Sequence, residues 1–389
     1  MKQRTRRFLG IAAASLFMVS SSSVMLKPVV PIKSSVIAAD TQNAESILDS
    51  VLKKMSEMVA ESQSGTIAGE WSVLCLAQSG FYDLNNSFFE EYYNSIVNFV
   101  NETAANVNMN GALHKTKSTE NSRLIIALSA IGRDAQSVGN YNLTEPYNDF
   151  NWIKKQGLNG PIFALIALDT NNYQINDTSI RQQCIDFILE KELENGGWAL
   201  SGSTADADMT AMALQSLARY RDSADVDAAV ERGINILSEM QNENGSYSSF
   251  GVVSSDSTAQ VITACTVLGI DPDTDERFVK NGSAVEALLG FYDSSSEMFC
   301  HTVDDGENAM STDQCSLALI AYQHLQNDEN PLFDMTDCFE NAQQNITHAS
   351  LDLNGDGIVN AQDILNAPNE KKANEIAEIF LHGKAAENK

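Results

Sequence analysis

The stretch Glu192-Leu-Glu-Asn-Gly-Gly-Trp198-Ala-Leu200 is followed, after a polar bridge, by Asp206-Ala-Asp208-Met-Thr-Ala-Met-Ala-Leu-Gln-Ser-Leu-Ala-Arg-Tyr220. Together they hold the end of one helix, a Gly-Gly-aromatic turn, an acid-bearing loop and the start of a second helix. Residues 47–325 repeat this plan. Gly196-Gly-Trp198 and Gly245-Ser-Tyr247 are its clearest copies, with Gln241 four residues before the second glycine. Gly65-Thr-Ile67, Gly111-Ala-Leu113, Gly160-Pro-Ile162 and Glu297-Met-Phe299 are weaker ones. Glycine accepts a positive φ where a helix ends, and the ring two residues on packs across the gap to the next pair. Self-similarity of this period signals helix pairs that stack or close on themselves.

The two helices of a pair differ in kind. In 226–241, Val226, Ala229, Val230, Gly233, Ile234, Leu237 and Met240 form one stripe, with Asp227, Glu231, Arg232, Asn235 and Glu239 opposite. That is an amphipathic helix with one face in water. Its partner, 208–220, is small and apolar almost all round, so both of its faces are covered. The same contrast predicts outer helices at 47–62, 88–104, 147–157, 179–192, 226–241 and 284–292. Inner ones are predicted at 71–78, 122–131, 162–168, 210–217, 258–268 and 314–325. Six alternating pairs close most simply as a double ring, an (α/α)6 toroid in an all-α chain; an open superhelix is the competing arrangement.

The Gln-x-x-x-Gly-x-aromatic turn, carried best by Gln241–Tyr247 and by Glu192–Trp198, resembles the repeat of the terpenoid cyclase and protein prenyltransferase α/α-toroid superfamily. The resemblance covers residues 47–325. It implies that the N-termini of the inner helices gather at one mouth of the ring, which here collects Glu120, Asp206, Asp208, Asp256 and Asp313. In proton-initiated cyclases an Asp-x-Asp-Asp acid stands there. Asp206-Ala-Asp208-Met209 has two of the three aspartates and methionine in the third place. In prenyltransferases an Asp-x-Cys pair and a histidine hold zinc. Asp313-Gln-Cys315 has that spacing, but no histidine falls on a later inner helix, which argues against zinc. Asp208, Asp256 and Asp313 also read as helix N-caps. Trp198, Met209, Met212 and Asp256 are the cavity candidates, with Leu214, Ile262 and Leu317 adding to an apolar lining. Trp71, Trp152 and Trp198 suit either sugar stacking or core packing.

Residues 1–39 carry six basic residues and no acid, with an apolar run from Phe8 to Met18 and Ala38-Ala39 before Asp40. They read as a secretory signal peptide, giving a secreted, extracellular product. Cleavage there removes six of 25 basic and none of 52 acidic residues, taking the formal charge from −27 to −33. Such a charge disfavours nucleic acid and anionic membranes, and no later stretch has the length of a membrane span. The six cysteines, Cys75, Cys184, Cys265, Cys300, Cys315 and Cys338, show no metal-finger spacing and read mainly as buried thiols; a Cys300–Cys315 bridge is the alternative.

Near the C-terminus, Asp352, Asn354, Asp356, Asn360 and Asp363 fall at positions 1, 3, 5, 9 and 12 of a calcium loop, with Gly357 at the turn and the Ile358 carbonyl at position 7. The loop resembles one repeat of a type I dockerin, which implies a cohesin-bearing scaffold protein as partner; a lone EF-hand bracing its own chain is the rival. The domains expected are a leader at 1–39, a toroid at 40–330 and a Ca2+-binding EF-hand or dockerin-like module at 331–389. The function expected is non-catalytic: binding of an apolar small molecule or of a protein partner. The alternative is an enzyme, either cyclase-like or prenyltransferase-like, or a carbohydrate-active component of a polysaccharide-degrading complex.

Overall fold

The computed structural model describes residues 41–59, 69–249, 251–339, 351, 353, 361–369, 371–374 and 376–377; the expected leader lies outside them. The inner helices are α2 (Glu70–Gln78), α4 (Thr119–Ala130), α6 (Asn159–Asp169), α8 (Ala207–Leu217), α10 (Ser255–Val267) and α12 (Ala309–Gln326). Around them run α1 (Thr41–Met58), α3 (Ser87–Val107), α5 (Phe150–Ile153), α7 (Ile180–Glu190), α9 (Ala224–Met240) and α11 (Ala284–Leu289). Each inner helix packs on the next, and α12 packs back on α2. The ring is therefore closed, and the open superhelix is excluded. Outer helix α1 covers the closing seam, touching α2, α11 and α12.

The periodicities are realised as burial. In α9 the stripe Val226, Ala229, Val230, Gly233, Ile234 and Leu237 is buried, while Arg232, Asn235 and Glu239 are exposed. Inner helix α6 is buried along nearly its whole length, which its apolar circumference requires. The third outer segment departs from expectation. Residues 145–156 form α5 flanked by two single 3-10 turns. Pro146 opens the first turn, and Asp149 is extended (φ −114°, ψ 96°) with its carboxylate capping Asn151. Tyr147 and Trp152, edge to face at 5.4 Å, fill the place of a longer helix.

The repeated turn is held by one recurring bond. Gly111, Gly196, Gly245 and Glu297 all have positive φ, and the residue two positions on is buried each time: Leu113, Trp198, Tyr247 and Phe299. The N–H of that residue donates to a side chain of the following inner helix: Leu113 to Asn121 (2.8 Å), Trp198 to Thr210 (3.0 Å), Tyr247 to Thr258 (3.1 Å) and Phe299 to Thr312 (3.0 Å). Each bond satisfies a buried N–H and fixes the turn against its helix. Gly160 is not such a copy. It lies inside α6, where a Cβ would come within 1.9 Å of the Ile153 carbonyl oxygen. Gly65 lies outside the described residues.

Gln241 ties neighbouring pairs together, its Nε2 donating to the carbonyls of Gly245 (3.1 Å) and Phe278 (2.6 Å). Gln241→Ala leaves both carbonyls without this donor and is expected to lower stability by about 1–3 kcal/mol, read as a urea midpoint. No change would show that solvent replaces the amide.

Short antiparallel hairpins lead into the last two inner helices: β1 (Tyr247–Ser249) with β2 (Val252–Ser254), and β3 (Tyr292–Asp293) with β4 (Met298–Phe299). After α12, Leu332 and Met335 are buried, and the Met335 N–H donates to the Thr170 carbonyl at the end of α6 (2.8 Å). A last helix, α13, spans Ala361–Asn366. No helix among the described residues is long and apolar enough to cross a membrane.

Candidate functional site

Inner helices should be sealed on every side, and each is buried along most of its length with few exceptions. Trp71 in α2, Arg123 in α4, Phe163 in α6, Met212 in α8, Gln260 in α10 and Gln314 in α12 are half-buried where the residues beside them are buried. Outer helices cover the other faces, so these six open onto the hub of the ring. One helical turn earlier stand Thr119, Asn159, Asp208, Asp256 and Met310, each four residues before its partner and also accessible. Residues i and i+4 share a helix face. The two layers are therefore the rim and floor of one funnel, about 6 Å apart along the helices. One turn deeper, Ile166, Gln215, Thr263 and Leu317 are buried, and the funnel ends blind.

The floor is mixed in character. Gln215 Nε2 donates to the Gln260 backbone carbonyl (3.1 Å) and to its Oε1 (3.0 Å), and Gln260 Nε2 donates to Gln314 Oε1 (2.6 Å). This amide chain crosses α8, α10 and α12. On the other side Arg123 lies between the ring-bearing positions Trp71 and Phe163. Its Nε donates to Glu70 (3.0 Å) and its Nη2 to Glu120 (2.8 Å).

The rim acids differ from their expected roles. The caps are Asp206 for α8, accepting from the Met209 N–H at 2.8 Å, Ser254 for α10 and Asn308 for α12. Each helix begins a residue or more before its apolar pattern, which leaves Asp208 and Asp256 inside the first turn and not as caps. Burial raises the Asp208 carboxyl above its ordinary range; the hydroxyls of Ser257 and Ser249 pull it down, and the charges of Asp206 and Asp256 push it further up. Burial likewise raises Asp206, countered by the Met209 and Leu200 N–H groups. Asp256 Oδ2 is 2.6 Å from His301 Nδ1. Oδ1 of Asp208 and Oδ1 of Asp256 are each shielded from solvent without a hydrogen-bond partner.

Asp313 is not a cap either. It is buried in the seam between α12 and α2, accepting from Ser72 Oγ at 2.8 Å. Cys315 is buried beside Ser255. His324, at the far end of α12, bonds the carbonyls of Gln78 and Asn330. Asp313, Cys315 and a histidine are thus not brought together, and no cluster of three metal-ligating side chains occurs among the described residues. All six cysteines are buried and none forms a disulfide, Cys300 and Cys315 included.

The expected apolar lining is corrected as well. Met209, Leu214 and Ile262 are buried, Leu317 closes the funnel one turn below Gln314, and of the set only Met212 is accessible. Trp198 is fully buried with Nε1 donating to the Ile188 carbonyl (2.7 Å), and Trp152 donates to His114 (3.1 Å); both are core residues. Sequence reasoning missed Arg123, Phe163, Gln260 and Gln314. Their signal was a polar or bulky residue four positions after each rim residue in an otherwise small and apolar helix. Of the calcium set, Asp352, Asn354, Asp356, Ile358 and Asn360 lie outside the described residues. Asp363 is buried and accepts from the Leu353 N–H at 2.7 Å, which joins the two ends of that loop.

Fold and site define an α/α toroid with a blind, acid-rimmed funnel at the N-terminal ends of its inner helices. No known protein-family pattern and no curated protein sequence matches this chain. Among solved structures it is similar to an unsaturated glucuronyl hydrolase variant from Streptococcus agalactiae complexed with dGlcA-GalNAc6S. The TM-score is 0.51 and the identity 11%, over 75% of this chain and 94% of that one. The same hydrolase without the substitution gives 0.49 and 11%, over 76% and 94%. At such identity the likeness concerns the fold. The toroid this chain resembles is a glucuronyl hydrolase and not a terpenoid cyclase or prenyltransferase, so the superfamily expected from the turn motif is corrected to the α/α-toroid fold alone. The glycine-aromatic turn is a device for closing helix pairs, and it does not specify chemistry. The expected non-catalytic binding of an apolar ligand or a protein partner is corrected as well: the solved structure of similar fold is a hydrolase, which favours the expected alternative, and the lining is mixed rather than apolar.

Proposed function

We propose that the chain is a carbohydrate-active enzyme that hydrolyses a glycosidic bond at the rim of the funnel. The observation that carries this reading is the layering: Asp208 and Asp256 one turn above a floor of rings, guanidinium and amides. A sugar has an apolar face that stacks on a ring and hydroxyls at its edges for amides and charged groups. Trp71 and Phe163 supply the first, and Arg123, Gln260 and Gln314 the second. Glycoside hydrolysis needs two carboxyls in different protonation states. Asp208, buried between two other acids, holds its proton better than an ordinary carboxylate. It protonates the departing glycosidic oxygen. Asp256, bonded to His301, accepts a proton from the water whose oxygen joins the anomeric carbon. The hydroxyl of that water ends on the sugar and the Asp208 proton on the leaving group, so the atoms balance. The hydrolase similarity agrees with this class of reaction.

Incubation of the purified chain with neutral, acidic and amino-sugar oligosaccharides, followed by chromatography, is expected to reveal a new reducing end from at least one class. No cleavage in any class by a folded sample sinks the reading.

A further inference from the structure

We infer that His301 is a positioning residue: it holds the Asp256 carboxylate so that one lone pair of Oδ2 is left for the water that this carboxylate activates. The inference rests on the glycosidase reading above and adds to it a residue from a different repeat. Asp256 stands in the first turn of α10. His301 follows strand β4 and belongs to the loop that leads into α12.

Two consecutive residues of α10 grip two consecutive residues of that loop. The Ser255 N–H donates to the His301 carbonyl (3.0 Å), Ser255 Oγ donates to the Cys300 carbonyl (2.7 Å), and Asp256 Oδ2 lies 2.6 Å from His301 Nδ1. At the base of the loop the Cys300 N–H donates to the Phe291 carbonyl (3.0 Å) and the Asn308 N–H to that of Phe299 (2.9 Å). Ser255 is fully buried, so its two bonds already pin the loop to α10. The side-chain bond is not needed for that. It joins two groups that stay 33% and 26% exposed, His301 and Asp256, where the chain passes from buried Phe299 and Cys300 to the exposed residues 303–308. Binding and catalytic side chains collect on loops held in this way by a rigid frame.

An ionised carboxylate only accepts, so a neutral imidazole bonded to it through Nδ1 carries its proton there. The consequence for Asp256 is one of direction. Its Oδ1 is shielded from solvent, so the carboxylate meets the funnel through Oδ2, the oxygen that His301 holds. A carboxylate oxygen has two lone-pair directions in the plane of the group. With the Nδ1–H in one of them, the other is fixed. A water bound there gives its proton to Oδ2 and its hydroxyl to the anomeric carbon, while the Asp208 proton goes to the departing glycosidic oxygen. Without the imidazole the carboxylate turns about its broad terminal torsion, and the water loses its place.

The test has a substrate-free arm and a catalytic arm, both on the full chain. Nitrogen NMR of the isotope-labelled histidine rings is expected to place the His301 proton on Nδ1, the signal being assigned by its loss in His301→Asn. Asp256→Ala is expected to abolish that preference; Ser254 caps α10, so the helix start survives the substitution. In the catalytic arm the substrates are the neutral, acidic and amino-sugar oligosaccharides. On the class that the parent cleaves, His301→Ala is expected to lower kcat on the order of 10²-fold, the cost of misplacing a reacting group by about 1 Å, with KM nearly unchanged. His301→Asn sets its Nδ2 donor where Nδ1 stands and is expected to recover most of that loss. Full turnover by a folded His301→Ala protein overturns the inference and leaves glycoside hydrolysis standing. So does a loss confined to KM, a loss that His301→Asn does not rescue, or an Nδ1 proton indifferent to Asp256→Ala. Cleavage of no class by the folded parent sinks the hydrolase reading, and this inference with it.

Discussion

Asp313→Asn is expected to make the protein more stable at pH 8, by about 2–4 kcal/mol, and no more stable at pH 4. Asp313 sits between the first and last inner helices, where it accepts from Ser72 Oγ at 2.8 Å. Burial lifts its carboxyl to about 7, with the Ser72 hydroxyl drawing it partly back. In the unfolded chain the group returns to about 3.9. Between those values the folded state keeps a proton that the unfolded state releases. Stability from this group is therefore complete below about pH 4 and drains away as pH rises to about 7. A shift of about three units is worth about 4 kcal/mol as a ceiling. Asparagine keeps the shape and an acceptor for Ser72 while carrying no charge at any pH. Urea midpoints of both proteins from pH 4 to 8 should diverge upward through that window. Parallel curves would show that Asp313 is charged and accommodated in the seam at neutral pH.

Asp208→Asn is expected to lower turnover by about 10²–10⁴-fold, the usual contribution of a general acid, without loss of stability. Asp206, not Asp208, caps α8, so the helix start survives the substitution. Removing one of three crowded acids also relieves repulsion, and the thermal midpoint should hold or rise. The pH profile separates catalysis from damage. Because burial raises the Asp208 carboxyl, its proton is lost above the ordinary carboxylate range, and the alkaline limb of kcat/KM in the parent enzyme lies correspondingly high. The residual activity of the variant should lack that limb. A folded Asp208→Asn protein with activity close to the parent's would remove Asp208 from the chemistry.

Much of the ring is legible in the chain. Val226 to Leu237 spells out an outer helix, the uniformity of 210–217 an inner one, and Gly196, Gly245 and their weaker copies the turns between. Local physics suffices there, because a residue's face and a glycine's φ are set within a few positions. The exceptions are equally local in cause. Pro146 and the extended Asp149 break the third outer helix, and Gly160 fits a close backbone approach that resembles a turn signal. The thread from each turn to its helix, Trp198 to Thr210 and Phe299 to Thr312, was written in the sequence as a recurring threonine that had no evident purpose before the partners were placed.

The funnel was hardly legible at all. Asp208 and Asp256 were found as helix-start acids but given the work of caps, since a shift of one or two residues in a helix boundary exchanges a capping carboxylate for one that does not cap. Arg123, Gln260 and Gln314 were absorbed into helices judged buried on every face. The chain by itself determined six helix pairs, their alternation of wet and covered faces, and an acidic end. Only the closed ring decided which single residue of each inner helix faces the hub, because that depends on how six helices share one centre. Rotation of a helix by one residue, about 100°, is invisible to periodicity when every face is covered, and it is the whole difference between a core residue and the floor of a site.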